Sequence, residues 1–107
     1  MLPNVFFDRP YMSSSPKFIL HCPLIDNNRL EGFVESCLRE NGSLIAVFGE
    51  GCARLEDVID EIIVGYEHNN PRFICTTSHP NEDFDEVWSF VSAWEADKLG
   101  VIKEVRL

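Results

Sequence analysis

The sequence predicts a small three-layer α/β domain in which a mostly parallel four-stranded sheet carries helices on both faces. Short apolar runs and amphipathic helix patterns alternate along the chain as βαβαβαβ. The segments between them are short, which favours parallel strands joined by crossover helices. The central unit shows the pattern most clearly, because the apolar run Leu44–Phe48 is followed by a glycine turn and then directly by a helix.

The size and composition of the chain fit one domain, residues 1–107, with a single core. Residues 1–16 form an N-terminal arm, in which Val5-Phe6-Phe7 fits a short extra strand. Apolar stretches of about five residues are too short to cross a bilayer, and no signal peptide is expected. Four cysteines without a CxxC pair are typical of reduced thiols, so we expect a cytoplasmic protein.

The first strand is predicted at Lys17–Cys22, where the residues are apolar enough to be buried on both faces of a sheet. A helix follows from Asn28, with Glu31 placed three residues later as in a capping box. The helix is expected to reach about Glu40, because Asn41-Gly42 supplies a left-handed stop.

The second helix follows the turn Gly49-Glu50-Gly51-Cys52, and its apolar residues recur with helical spacing as far as Tyr66. It is expected to end near Asn69, since Pro71 cannot continue a helix. The third strand is then predicted at Arg72–Thr76.

A third amphipathic helix is predicted from Phe84 to Leu99, and the fourth strand at Val101–Leu107. Within that strand Glu104 and Arg106 alternate with apolar residues, which indicates a half-exposed edge. By analogy with doubly wound folds we expect the strand order 2-1-3-4. In that order the first helix covers one face, the other two cover the opposite face, and the switch point lies between the first and third strands.

In a parallel sheet the carboxyl ends of all strands lie at one edge, where open α/β sheets bind ligands. That edge would hold His21-Cys22, the glycine turn 49–52 and the turn at residues 77–81. Glycine and hydroxyl residues also cap helices and form turns, so a structural role explains them as well. The candidate ligand-binding residues at this edge are Gly49, Gly51, Thr77 and Ser78.

Cys52, His79 and Glu50 are the candidates for a catalytic role at the same edge. Cys52 would lie near a helix N-terminus, where the dipole favours a thiolate, and His79 or His21 could act as its base. The chain contains neither a phosphatase-type cysteine–arginine loop nor a Gly-x-Ser-x-Gly elbow. The sequence does not decide whether the protein is an enzyme, but the lack of a recognisable catalytic motif argues against an enzyme.

Nucleotide and metal binding are not expected. Gly49-x-Gly51 matches part of the dinucleotide pattern, but Arg54 takes the place of the third glycine. The neighbouring residues His21 and Cys22 could bind zinc individually, yet on a strand they would point to opposite faces. We therefore expect neither a metal site nor a cofactor.

The net charge of −9 comes from 18 acidic and 9 basic residues. This balance disfavours nucleic acid and anionic membranes as partners, because both are bound through Lys and Arg. It is compatible with a basic protein partner. Asp57 and Glu61 lie one helical turn apart with Asp60 beside them, which is typical of a solvated stripe.

Several aromatic residues fall outside the expected core. Phe90 lies off the apolar stripe of the third helix, Trp94 lies near its margin, and Phe6, Phe7 and Tyr11 precede the first strand. If exposed together, they would form an apolar patch with an acidic rim, which is typical of a protein interface.

The leading hypothesis is a small acidic binding or regulatory module that acts through protein–protein interaction or self-association, as immunity proteins and inhibitors of host factors do. The Thr-Thr-Ser-His-Pro and Gly-Glu-Gly-Cys turns resemble stretches of small α/β proteins common in bacteria, and this resemblance implies no activity. The alternative is an enzyme or small-ligand-binding protein with a site at the strand carboxyl edge around Cys52 and His79.

Overall fold

The computed structural model describes residues 15–67, 74–94 and 100–107. Within these ranges four strands form one parallel sheet with helices on both faces, so the predicted α/β class is confirmed. Outside these ranges lie the expected strand at Val5-Phe6-Phe7, the aromatic residue Tyr11, and the expected boundaries at Asn69, Arg72 and Leu99.

The strands and helices alternate in the predicted order. The strands are β1 (Lys17–Cys22), β2 (Leu44–Gly49), β3 (Cys75–His79) and β4 (Ile102–Val105). The helices are a short 3₁₀ helix (Asn27–Arg29), α1 (Leu30–Arg39), α2 (Cys52–Glu67) and α3 (Phe84–Ala93).

The strand order is β3-β2-β1-β4, which matches the expected 2-1-3-4 only roughly. β1 and β2 are neighbours as expected, but β3 pairs with β2 rather than with β1, and β4 pairs with β1. The first two crossovers step in the same direction, and right-handed crossovers then place α1 and α2 on one face. α3 returns over the other face and is the one helix of the described chain that packs there, so the expectation that α2 and α3 share a face is wrong.

The core lies on both faces of the sheet because β1 and β2 are the central strands. On one face Leu20 and Val47 pack among side chains of α1 and α2. On the other face Ile19 and Ala46 pack against α3. Since alternate residues of a strand point to opposite faces, both strands need nearly continuous apolar runs. The prediction that the first strand is buried on both faces is confirmed.

The ends of α1 follow local sequence signals. Asp26 Oδ1 accepts a hydrogen bond from the backbone N–H of Asn28 (3.0 Å) and so caps the 3₁₀ helix that leads into α1, whereas the N-cap position of α1 itself, Arg29, makes no side-chain cap hydrogen bond. Asn41 adopts a left-handed φ of 63° after the last turn, and the predicted stop at this position is confirmed.

The C-terminus of α3 is held by a buried lysine. Lys17, at the start of β1, is only 3% exposed. Its Nζ donates to the carbonyl oxygens of Val91 (3.2 Å) and Trp94 (2.9 Å). The Val91 carbonyl also accepts from the backbone N–H of Trp94 (3.2 Å), so the lysine supplies a second donor there, and it places a cation at the negative end of the helix dipole.

Both outer strands are edges of the described sheet. In β4 the side chain of Val105 packs with the α1 and α2 core, while Glu104 contacts His21 on the α3 face, as the predicted alternation requires. Among the helices in the described ranges, none is both long enough and apolar enough to span a membrane.

Candidate functional site

A crevice of about 540 Å³ lies at the carboxyl edge of the sheet, between the turn that follows β2 and the turn that follows β3. These neighbouring connections diverge because α2 lies on one face of the sheet and α3 on the other. The crevice therefore marks the topological switch point, which lies between β2 and β3 rather than between the first and third strands as expected. Its lining residues are Gly49, Glu50, Gly51, Cys52, Ala53, Arg54, Pro80, Asn81 and Glu82.

The turn after β2 needs its glycines for backbone reasons. Gly49 has a φ of 108°, and a Cβ at this position would lie 2.0 Å from the carbonyl oxygen of Cys22. Gly51 has a φ of 80°. Both values are rare for residues with a side chain, so the Gly-x-Gly spacing serves the close approach of β1 and β2. A role in binding a ligand is an additional hypothesis.

The two cysteines at this edge lie on the α1 and α2 face of the sheet. Cys52 is the first residue of α2, and its side chain is buried in the core. The Cys22 Sγ donates to the carbonyl oxygen of Glu50 (2.9 Å). Desolvation raises the pKa of the Cys22 thiol, and electrostatic interactions with Cys52 and Glu50 add to the effect. The surroundings of Cys22 thus oppose formation of a reactive thiolate.

His79 is the last residue of β3 and is buried on the α3 face. Its Nε2 lies 2.8 Å from Thr77 Oγ1, its Nδ1 lies 3.3 Å from Glu82 Oε1, and its ring packs edge-on against Phe90. With the ring proton on Nδ1, the imidazole donates to Glu82 and accepts from the Thr77 hydroxyl. This arrangement has the hydroxyl–imidazole–carboxylate order of a catalytic triad, but Thr77 is not among the residues that line the crevice.

The structure does not bring Cys52 and His79 together as a nucleophile and its base. Cys52 packs in the α1 and α2 core, whereas His79 packs against α3 on the opposite face. The expected pairing is wrong because β3 extends three residues beyond the predicted end at Thr76. Thr77 and Ser78 are therefore strand residues that point to opposite faces, rather than members of one turn.

Several predicted site residues do line the crevice together, namely Gly49, Glu50, Gly51 and Cys52. The turn after β3 adds Pro80, Asn81 and Glu82, which sequence reasoning did not name as site residues although it placed this turn at the same edge. Pro80-Asn81 is a typical turn sequence, and Asn81 adopts a left-handed φ of 66°, so turn chemistry was the signal that could have identified these residues.

The charges around the crevice do not favour a phosphate. Arg54 is the only cation in its described lining, whereas Glu50 and Glu82 contribute two carboxylates. A phosphate at the N-terminus of α2 would meet both of these negative charges. No three His, Cys, Asp or Glu side chains in the described ranges converge as a metal-binding group.

Aromatic side chains lie on both flanks of α3. On the β4 flank the His21 ring packs against Phe48 (4.6 Å between ring centres) and stacks on Phe84 (5.9 Å). The Trp88 ring extends this cluster and is 42% exposed. On the β3 flank Phe90 is 37% exposed, in line with its predicted position off the apolar stripe.

Comparisons with known proteins bear on the family rather than on an activity. No curated protein and no solved structure matches the chain. A family model described as a domain of unknown function, DUF7684, matches residues 4–105, a span that includes all the described helices and strands. The chain therefore belongs to the DUF7684 family.

Proposed function

We propose that this protein is a small acidic binding or regulatory module that acts by contacting another protein. The observation that carries the proposal is the exposure of Trp88 and Phe90 on α3. Partly exposed tryptophan and phenylalanine rings on a surface helix are typical anchors of protein interfaces. α3 is also the one described helix on its face of the sheet, so both of its flanks remain accessible to a partner.

The partner's charge follows from the net charge of −9. Electrostatic attraction speeds association with a basic surface and suppresses contact with acidic ones, including a second copy of this chain. A basic partner protein is therefore favoured over self-association. None of the four cysteines, all of which lie in the described ranges, forms a disulfide; this supports a reducing compartment, and we propose a cytoplasmic location on that basis.

The proposal is tested by capture of the partner with variants of α3. Protein purified gently from its own host should retain a partner, and Trp88→Ala combined with Phe90→Ala should lose most of it because the two anchoring rings are removed. Ile25→Ala is the matched control, since Ile25 is 90% exposed in the connection between β1 and α1. Equal retention by all three proteins would exclude α3 as the contact surface.

A small-ligand-binding function is the second candidate, and the crevice at the switch point favours it. Native mass spectrometry of the same preparation should then show an added mass of metabolite size. Arg54→Gln should weaken that adduct, because Arg54 lines the crevice, while Arg29→Gln in the 3₁₀ helix should leave it unchanged. A bare chain mass in all three preparations would count against ligand binding.

A further inference from the structure

β3 presents an unpaired backbone edge in the described sheet. The N–H of Cys75 donates to the carbonyl oxygen of Ser43 (3.1 Å), so the backbone of Cys75 faces β2. Backbone groups of successive strand residues point in alternate directions within the sheet. The N–H and C=O groups of Thr76 and Ser78 therefore point away from β2, where no strand of the described chain pairs with them.

A groove of about 500 Å³ runs beside this edge. One wall comes from α2 and the other from the end of α3, so the groove wraps around β3 from one face of the sheet to the other. Its described lining includes two carboxylates but no lysine or arginine. The lining residues are Glu56, Asp60, Ile63, Val64, Ile74, Cys75, Thr76 and Trp94.

No lysine or arginine of the described residues forms a salt bridge with the two carboxylates in this groove. Thr76 Oγ1 lies 3.1 Å from Glu56 Oε2 and 2.5 Å from Asp60 Oδ1. One hydroxyl hydrogen can serve only one of them at a time, so the other carboxylate has acceptor capacity to spare. Glu56 and Asp60 are also one helical turn apart and repel each other, a cost that a cation placed between them would remove.

The other wall of the groove is apolar except for one buried hydrogen-bond donor. The indole Nε1 of Trp94 is buried and has no hydrogen-bond partner among the described residues. The Trp94 ring lies 5.8 Å from the ring of Phe90, centre to centre. Both rings belong to the α3 face of the sheet, whereas Glu56 and Asp60 belong to the α2 face.

We propose that the free edge of β3 binds an extended basic segment of a partner protein, which pairs with β3 as an additional strand. Side chains of an added strand alternate between the two faces. Those on the α2 face would meet Glu56 and Asp60, and those on the α3 face would meet Trp94 and Phe90. The segment that fits has Lys or Arg at every second position and apolar residues between them.

This inference rests on the proposed binding function and names the partner's chemistry, but it uses a different surface from Trp88. Charge complementarity selects the occupant, because the described lining is acidic and the chain carries a net charge of −9. A second copy of this chain would bring the same negative charge to the groove and is disfavoured.

The test uses a blocked synthetic octapeptide in which lysine and valine alternate, with hydrogen exchange of the backbone amides followed by NMR. Binding should slow exchange at Thr76 and Ser78 at least about tenfold, because their N–H groups become bonded to the peptide. Cys75 and Thr77 already face β2 and should change little. The same peptide with two valines replaced by proline cannot pair as a strand and should give no protection.

Charge variants distinguish binding in the groove from general attraction of the basic peptide to the acidic protein. Glu56→Gln with Asp60→Asn should weaken peptide binding roughly tenfold, since two partly exposed ion pairs are lost. Asp57→Asn with Glu61→Gln is the matched control, because it removes the same charge at the same spacing from the same helix. That control should weaken binding less than about threefold, through the change in net charge alone.

Three results would overturn the inference. Equal weakening in both double variants would show that the peptide responds only to net charge. Protection of Thr76 and Ser78 without any peptide would show that the chain itself covers this edge. Equal binding of the proline-containing peptide would exclude strand pairing. If one of these occurs while a captured partner still depends on Trp88 and Phe90, the binding function stands and the β3 inference alone is lost.

Discussion

At the residue scale, the carboxyl edge of the sheet is shaped by contacts between Cys22 and the turn that follows β2. The Cys22 carbonyl excludes a side chain at Gly49, and the Cys22 thiol donates to Glu50 in the same turn. A sequence can show that a glycine turn follows a strand, but it cannot show which residue approaches that turn. The structure shows that this residue is Cys22, because β1 and β2 are in close contact.

The raised pKa of Cys22 gives a pH-dependent expectation. Because desolvation disfavours the thiolate, alkylation of Cys22 should be slower at neutral pH than that of free cysteine, and its midpoint should lie at a higher pH. Iodoacetamide labelling followed by peptide mass spectrometry between pH 7 and about 10 measures this. Cys22→Ser identifies the signal. A rate at or above that of N-acetylcysteine amide would contradict the expectation.

At the element scale, α3 depends on a contact that no local pattern reveals. Its N-terminus is fixed by its own sequence through a reciprocal capping box between Asp83 and Glu86. Its C-terminus is fixed by Lys17, which lies 77 residues before Trp94 in the chain. A lysine at the start of an apolar strand would usually be assigned to the surface, so sequence reasoning had no signal for this cap.

Lys17→Met should therefore destabilise the protein through the end of α3. The substitution removes the lysine donor from the Trp94 carbonyl and one of two donors from the Val91 carbonyl, and it removes the cation at the end of the helix, at a cost of about 2 kcal/mol in the free energy of unfolding. Urea denaturation measures that loss, and hydrogen exchange should localise it to the last turn of α3.

Lys103→Met is the matched control for Lys17→Met. Lys103 pairs with Glu40 in an exposed salt bridge, which is screened by solvent, so its loss should cost less than about 1 kcal/mol. Equal destabilisation by the two substitutions would contradict the proposed role of the buried lysine.

At the scale of the whole molecule, periodicity in the sequence was enough to predict the elements and the class of fold. The apolar runs of β1 and β2 and the amphipathic helices follow directly from the burial that each residue needs. The order of the strands could not be predicted in the same way. The sequence of a strand that is buried on both faces does not indicate which strands pair with it. The placement of β3 therefore required the structure.

The prediction of the candidate site was limited because the sequence did not show where β3 lies in the sheet or where it ends. The glycine turn at 49–52 was correctly placed at the carboxyl edge, and it does line the crevice. His79 was placed at that edge as well, but the face on which it lies depends on where β3 ends. An error of three residues in that boundary moved Thr77 and Ser78 from the turn into the strand, and it suggested a pairing with Cys52 that the sheet itself separates.

The pairing of β4 with β1 has a consequence for how the chain is made. A ribosome synthesises β1, β2 and β3 before β4, so the nascent chain can form the first three strands while one side of β1 is still open. That open side presents the backbone N–H and C=O groups of β1 that later pair with β4. Until β4 emerges, this unpaired edge of a central strand can pair with other nascent chains, so the interval before β4 appears is when misassembly is favoured.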